Sequence, residues 1–321
     1  LNMLLDILGL RRDQFDRVGS QDTYMKAMAS SQDDKAGLLS YGKGPVWVDI
    51  GPADGPTLEI AQKMGPKKGI KRILAIEISL EAIKALNKRK AIQGLSLVTA
   101  IRGDACELRE LLREEGIVSA DTIVFSSILH EIYSYSLKDG RRFNLDSVKD
   151  ALREGLLALS GGGRLLIRDG VIPENGEENQ ILELSGETNK EVFDYFVRNF
   201  PGRDLSAAYR TIDEDSQNQL WRIIIKRKDA MEFLFKLTWC WRPEFNPCTF
   251  WDEVKEQYGV LTRKGYLGLL YEIANEQMIT IKEISLPKEE QSYLQPGYVN
   301  NLKGKARLLD LEGNEVSLPD S

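Results

Sequence analysis

Between residues 46 and 170 the chain alternates two textures. Short apolar runs rich in Val, Ile and Leu are followed by longer stretches whose apolar positions recur every three or four residues. The runs fall at 46–50, 72–77, 96–102, 122–126 and 164–168. Strands alternating with helices in this way predict a parallel sheet covered on both faces. Leu152, Leu156, Leu157 and Leu159 mark the buried stripe of the helix before the fifth run, and Ser160-Gly-Gly-Gly163 ends it. Ahead of the first run, residues 1–40 read as helices on the spacing of Met3, Leu4, Ile7, Leu8 and Leu10 and of Tyr24, Met25 and Met28, closed by the turn cluster 41–45.

Beyond Val171 the texture changes. Residues 173–187 are polar and read as loop, Val192, Phe193, Tyr195, Phe196 and Phe200 have helical spacing, and 230–239 reads as a helix. The α/β texture returns with a helix over 264–275 and strands over 278–284 and 305–311. The expected architecture is an α/β fold: a doubly wound seven-stranded sheet, five strands parallel and the C-terminal edge antiparallel, with N-terminal helices and a mostly helical inserted subdomain. The expected boundaries are 1–45 for the N-terminal helical segment, 46–171 with 261–321 for the core, and 172–260 for the insertion.

Composition narrows the class without naming a function. The 321 residues are 42% hydrophobic and 29% charged, as in ordinary globular proteins. A net charge of −6 argues against a protein that lives on a nucleic-acid backbone. Cys106, Cys240 and Cys248 are odd in number and lack zinc or C-x-x-C spacing, which predicts a reducing, cytoplasmic compartment. No apolar run reaches the length of a membrane span. The chain opens on Leu1 rather than methionine and is expected to be a processed product or part of something longer.

Candidate chemistry begins at the first βα turn, Val46-Trp-Val-Asp-Ile-Gly-Pro-Ala-Asp-Gly55. Gly51 and Gly55 can adopt positive φ, so a ligand can approach the backbone, and the N–H groups of the next helix point at the same place. A second run ends in Glu77, where an acid would meet a ribose. Ala53 and Pro56 depart from G-x-G-x-x-G, which disfavours a pyrophosphate and a dinucleotide oxidoreductase. The turn resembles the first motif of the class I S-adenosylmethionine-dependent methyltransferases, apolar-x-Asp-x-Gly-x-Gly-x-Gly, with Ala53 in place of one glycine. The resemblance implies that Asp49, Gly51, Ala53 and Gly55 meet the methionine part of S-adenosyl-L-methionine. Glu77 and Ile78 would meet its ribose, Asp104 and Ala105 its adenine edge, and Ser126 and Ser127 the mouth of the fourth strand.

The segment Phe125-Ser-Ser-Ile-Leu-His-Glu-Ile-Tyr-Ser-Tyr135 holds the only histidine, His130. It lacks the Asp/Asn-Pro-Pro-Tyr/Phe and Pro-Cys signatures of nucleic-acid methyltransferases. It is similar to the Leu-His-Asp-Trp of small-molecule O-methyltransferases, which implies His130 as general base with Glu131 or Asp169 orienting it. The other reading of His130 is a pocket wall. Tyr133, Trp221, Trp239 and Trp241 are candidates to contact the acceptor, and Asp22–Tyr24 to touch the cofactor. Arg222, Lys226, Arg227 and Lys228 could meet phosphate, and with the tryptophans they keep an RNA or DNA methyltransferase open. No metal is expected, because His130, Glu131 and Asp169 are too sparse a set. The expected activity is methyl transfer to an O or N acceptor, a small molecule before nucleic acid, and the alternative outside catalysis is a methyltransferase-like binding module.

Overall fold

The computed structural model describes residues 32–53, 55–215, 217–238, 250, 253–286 and 299–317. After helix α1 (Gln32–Ser40) come β1 (Val46–Ile50), α2 (Pro56–Lys68), β2 (Arg72–Glu77), α3 (Leu80–Gln93) and β3 (Val98–Arg102). A short 3₁₀ turn (Ala105–Glu107) leads to α4 (Leu108–Glu114), β4 (Ala120–Ser126), α5 (Leu129–Tyr135), α6 (Leu145–Ala158) and β5 (Leu159–Arg168). These five strands form one parallel sheet in the order β3-β2-β1-β4-β5.

The sheet is doubly wound because its apolar runs face two ways. Trp47, Ile73, Val124 and Leu166 pack with Leu58, Ala61 and Leu86 of the helices on one face. Their neighbours Val48, Leu74, Ile123 and Phe125 pack with Leu108, Leu111, Val148 and Leu152 on the other. Continuous runs rather than alternating ones are what a two-sided core demands. The helix Arg263–Glu276 belongs to this lobe, since Tyr266, Leu269 and Ile273 join the second of these clusters.

Four more strands form a separate antiparallel sheet, ordered β7-β8-β6-β9: β6 (Asn179–Ser185), β7 (Tyr209–Asp215), β8 (Leu220–Lys226) and β9 (Ala306–Leu309). Helices α7 (Glu187–Asn199) and α8 (Arg227–Leu237) cover it, and Leu182, Phe193, Phe196, Ile223, Phe233 and Leu308 form its core.

Three expectations are corrected here. The C-terminal strand pairs with β6, not with the parallel sheet, so no antiparallel edge extends that sheet among the described residues. Residues 278–284 form no strand, and Met278 is exposed. Among its described residues the inserted segment carries three strands beside its helices, and residues 179–185, expected as loop, form an inner strand of the antiparallel sheet. Glu183 disguised that strand. It is 1% exposed within an apolar run, and it is tolerated because Arg222 Nε from β8 and Arg307 Nε from β9 donate to it at 2.9 and 2.7 Å. Among the described residues no helix is long and apolar enough to cross a membrane.

Candidate active site

The order β3-β2-β1-β4-β5 reverses direction between β1 and β4, and the crevice beyond the C-terminal strand ends at such a reversal is where open α/β sheets bind ligands. At β1 the chain leaves the sheet through Gly51 at φ 65°, Ala53 at φ 53° and Gly55 at φ 93°. A Cβ on Gly51 would stand 2.4 Å from Ile128 Cδ1, so the turn lies against the β4 loop and only glycine fits. Ala53 holds a left-handed conformation that a non-glycine residue adopts at a cost. Asp49, 4% exposed, accepts from Thr57 Oγ1 at 2.6 Å and ties the strand end to α2.

Glu77 gathers the neighbouring turns. Its carboxylate accepts from Ala53 N at 3.2 Å and from Ser79 N at 2.9 Å, bridging the β1 turn to the start of α3. Ile78 follows it, partly exposed. Asp104 caps the 3₁₀ turn by accepting from Cys106 N at 2.8 Å, and Ala105 is buried beside it. Burial first, then the Asp104 carboxylate, pushes the Cys106 thiol up to about 12. At the end of β4, Ser127 sits at φ 56° and its Oγ accepts from Arg168 Nη1 at 2.9 Å. Ser126 Oγ is buried with no hydrogen-bond partner. The expected cofactor residues thus stand together at four adjacent strand ends.

The second cluster surrounds His130 at the start of α5. Asp169, just past β5, caps that helix: its Oδ2 accepts from the N–H groups of Ile128, Leu129 and His130 at 3.1, 2.6 and 3.2 Å. Its Oδ1 meets His130 Nδ1 at 2.6 Å. The other ring nitrogen, Nε2, faces Glu256 Oε2 at 3.4 Å, and the Tyr258 ring lies 4.9 Å from the imidazole. Burial alone would lower the imidazole pKa, but the charges and hydrogen bonds of Asp169 and then Glu256 outweigh it and hold His130 well above 6.5. Glu131, half-buried, has a carboxylate oxygen within 4.8 Å of a ring nitrogen of His130 and of a carboxylate oxygen of Glu256.

Glu256 was not foreseen. It arrives from the segment between the antiparallel lobe and α9 (Arg263–Glu276), 2% exposed, with Tyr135 Oη donating to its Oε1 at 2.8 Å. Gln257 N donates to Ser134 Oγ at 2.9 Å, and Lys236 Nζ, itself fully buried, donates to Glu256 O at 2.7 Å. Lys236 also pairs with Glu232 at 2.8 Å, and Arg203 Nε with Asp229 at 2.7 Å. Tyr266 adds a buried hydroxyl with no hydrogen-bond partner, its pKa raised by burial and by Asp169. No local pattern around Glu256 or Tyr266 marks them. Tyr133 stands near this cluster, half-buried, with its ring edge-on to Phe143 at 5.8 Å and its hydroxyl pKa raised by burial.

The remaining acceptor candidates change. Trp221 is 5% exposed within β8, so it is core rather than a stacking platform. Trp239 and Trp241, with Asp22–Tyr24, lie outside the described residues. The basic run is matched by acids. Arg222 pairs with Glu183 and Asp213, Lys226 and Lys228 pair with Glu177, and Arg227 is 3% exposed.

No protein-family model matches the chain, and no curated protein sequence matches it. Among solved structures it is similar to an O-methyltransferase family protein from Burkholderia thailandensis, at 15% identity over 65% of this chain and 60% of that one, with a TM-score of 0.38. An rRNA methylase from Streptococcus thermophilus is 15% identical over 61% of this chain and 94% of that one, with a TM-score of 0.30. A glycopeptide N-methyltransferase complexed with S-adenosyl-L-methionine is 13% identical over 60% and 85%, with a TM-score of 0.33. The α/β architecture stands on the strand order and the two-faced core.

Proposed function

We propose that the protein transfers a methyl group from S-adenosyl-L-methionine to an O or N acceptor. The observation that carries the reading is the group of Glu77, the Gly51–Ala53–Gly55 turn, Asp104 and Ser126 at adjacent ends of parallel strands. A carboxylate offers two oxygens to the two hydroxyls of a ribose. The tight turn beside it admits a ligand without phosphates, and the unpartnered Ser126 Oγ supplies a polar contact at the mouth of β4.

A small or medium-sized acceptor fits better than nucleic acid, because the net charge is −6 and Arg222, Lys226 and Lys228 are already matched by carboxylates. His130, its pKa held above the ordinary imidazole value by carboxylates at both ring nitrogens, serves in this reading as the wall that holds Asp169 and Glu256 in place. The dyad of Asp169 with Nδ1 favours a second role as base, available once the imidazole loses its proton. The base role forecasts a single-turnover rate that climbs above neutrality, and the wall role forecasts none.

Calorimetry with S-adenosylhomocysteine and with NAD, followed by radiolabel transfer to a panel of hydroxyl and amine acceptors, tests the proposal. Homocysteine-nucleoside binding weakened by about 1.5–3 kcal/mol in Glu77→Ala is expected for bonds to a charged group. Unchanged affinity in the folded variant would place the nucleoside elsewhere. Binding of NAD in its stead would remove methyl transfer altogether.

A further inference from the structure

We propose that His130, Glu131 and Glu256 form a site for one first-row divalent cation, of the Mn²⁺ or Zn²⁺ type. One ligand atom from each residue lies within 4.8 Å of the others. His130 Nε2 and Glu256 Oε2 are 3.4 Å apart. That is long for a charge-assisted hydrogen bond, about 2.7–2.9 Å. It matches the roughly 3.0–3.5 Å that separates two ligands bound at about 2.0–2.2 Å around a tetrahedral or octahedral ion.

The surroundings have the form of a metal centre's outer shell. Asp169 Oδ1 holds Nδ1 at 2.6 Å, which fixes the ring and turns Nε2 toward Glu256 as the ligand position, the carboxylate–histidine–metal arrangement. Tyr135 Oη donates to the far oxygen of Glu256 at 2.8 Å and aims the near one at the histidine. One imidazole nitrogen with two carboxylate oxygens suits Mn²⁺ or Zn²⁺ better than Ca²⁺, which takes oxygen alone, or copper(I), which takes sulfur.

The site itself does not depend on the methyltransferase reading; only its role does. In that role the cation takes the acceptor hydroxyl as a further ligand and lowers its pKa, so that the proton leaves to solvent and the alkoxide attacks the methyl carbon. The carbon–sulfur bond then breaks with its electron pair going to sulfur, which leaves S-adenosylhomocysteine.

The test uses the tag-free full chain after chelator treatment, titrated with Zn²⁺ and with Mn²⁺ by calorimetry, alongside ¹⁵N spectra of the one histidine. Expected are one-to-one binding, a Zn²⁺-dependent shift of His130 Nε2, and affinity at least about tenfold weaker in Glu131→Gln. Glu256→Gln should abolish binding. Because that variant replaces a buried group and can fail to fold, the half-buried Glu131→Gln carries the decision. No saturable binding, or binding that leaves the Nε2 signal and the Glu131→Gln affinity unchanged, overturns the site and leaves a proton bridging His130 and Glu256. S-adenosylhomocysteine binding measured in the same samples separates failure of the metal site from failure of the cofactor reading.

Discussion

Asp169→Ala perturbs the joint between the two clusters. The Asp169 side chain is 2% exposed and accepts five hydrogen bonds, from the N–H groups of Ile128, Leu129, His130 and Gly170 and from His130 Nδ1. Deleting it leaves the first N–H groups of α5 without an acceptor and His130 with one carboxylate in place of two. Each stranded buried donor costs about 1–3 kcal/mol before relaxation, and removing one partner of a buried charge pair costs about 3–5 kcal/mol. Water entering the vacated space recovers part of the former, so the expected loss for Asp169→Ala is about 3–5 kcal/mol. Asp169→Asn keeps an acceptor oxygen for the helix N-terminus and loses the charge, so it should fall between the two proteins. Urea denaturation measures the loss. The chain has a single histidine, so NMR titration reads the second consequence, a fall in the His130 pKa in both variants, without assignment ambiguity. A loss under about 1 kcal/mol with an unmoved His130 titration would refute the capping argument.

The raised His130 pKa carries its own pH signature. Its contribution to stability is complete below the unfolded value of 6.5 and drains away as pH climbs from there through the folded value. Denaturation midpoints should therefore decline above about 6.5 more steeply in the parent than in His130→Gln, and parallel curves would contradict it. Ala53→Gly relieves the left-handed φ of 53° but frees the unfolded chain, so the net change should favour glycine by no more than about 1 kcal/mol. A loss larger than that in thermal denaturation would mean that the methyl group packs in a way the turn does not reveal. Cys106, with its thiol pushed up to about 12, should resist iodoacetamide at neutral pH in the native protein and label on unfolding. Rapid native labelling at Cys106 by peptide mapping would show the pocket to be open.

What the sequence by itself determined is local. The five parallel strands and their helices were legible because a two-sided core writes continuous apolar runs into neighbouring residues, and the first turn because positive φ at Gly51 and Gly55 selects glycine on the spot. Glu77 was placed by the end of its own strand, and His130 stood out as the only histidine. What lay beyond reach depended on residues far apart in the chain. The strand 179–185 looked like loop because Glu183 interrupts it, and only Arg222 and Arg307 on the flanking strands make that acid tolerable. Residues 278–284 had strand texture and, among the described residues, no partner strand to pair with. The basic run looked free to meet phosphate until Glu177, Glu183 and Asp213 arrived from elsewhere to match it. Glu256 became part of the His130 site only when the returning segment was fastened to α5 through Tyr135 and Ser134. Periodicity and backbone conformation are properties of consecutive residues, whereas the pairing of buried charges is settled by which surfaces pack together, and that is decided by the folded chain as a whole.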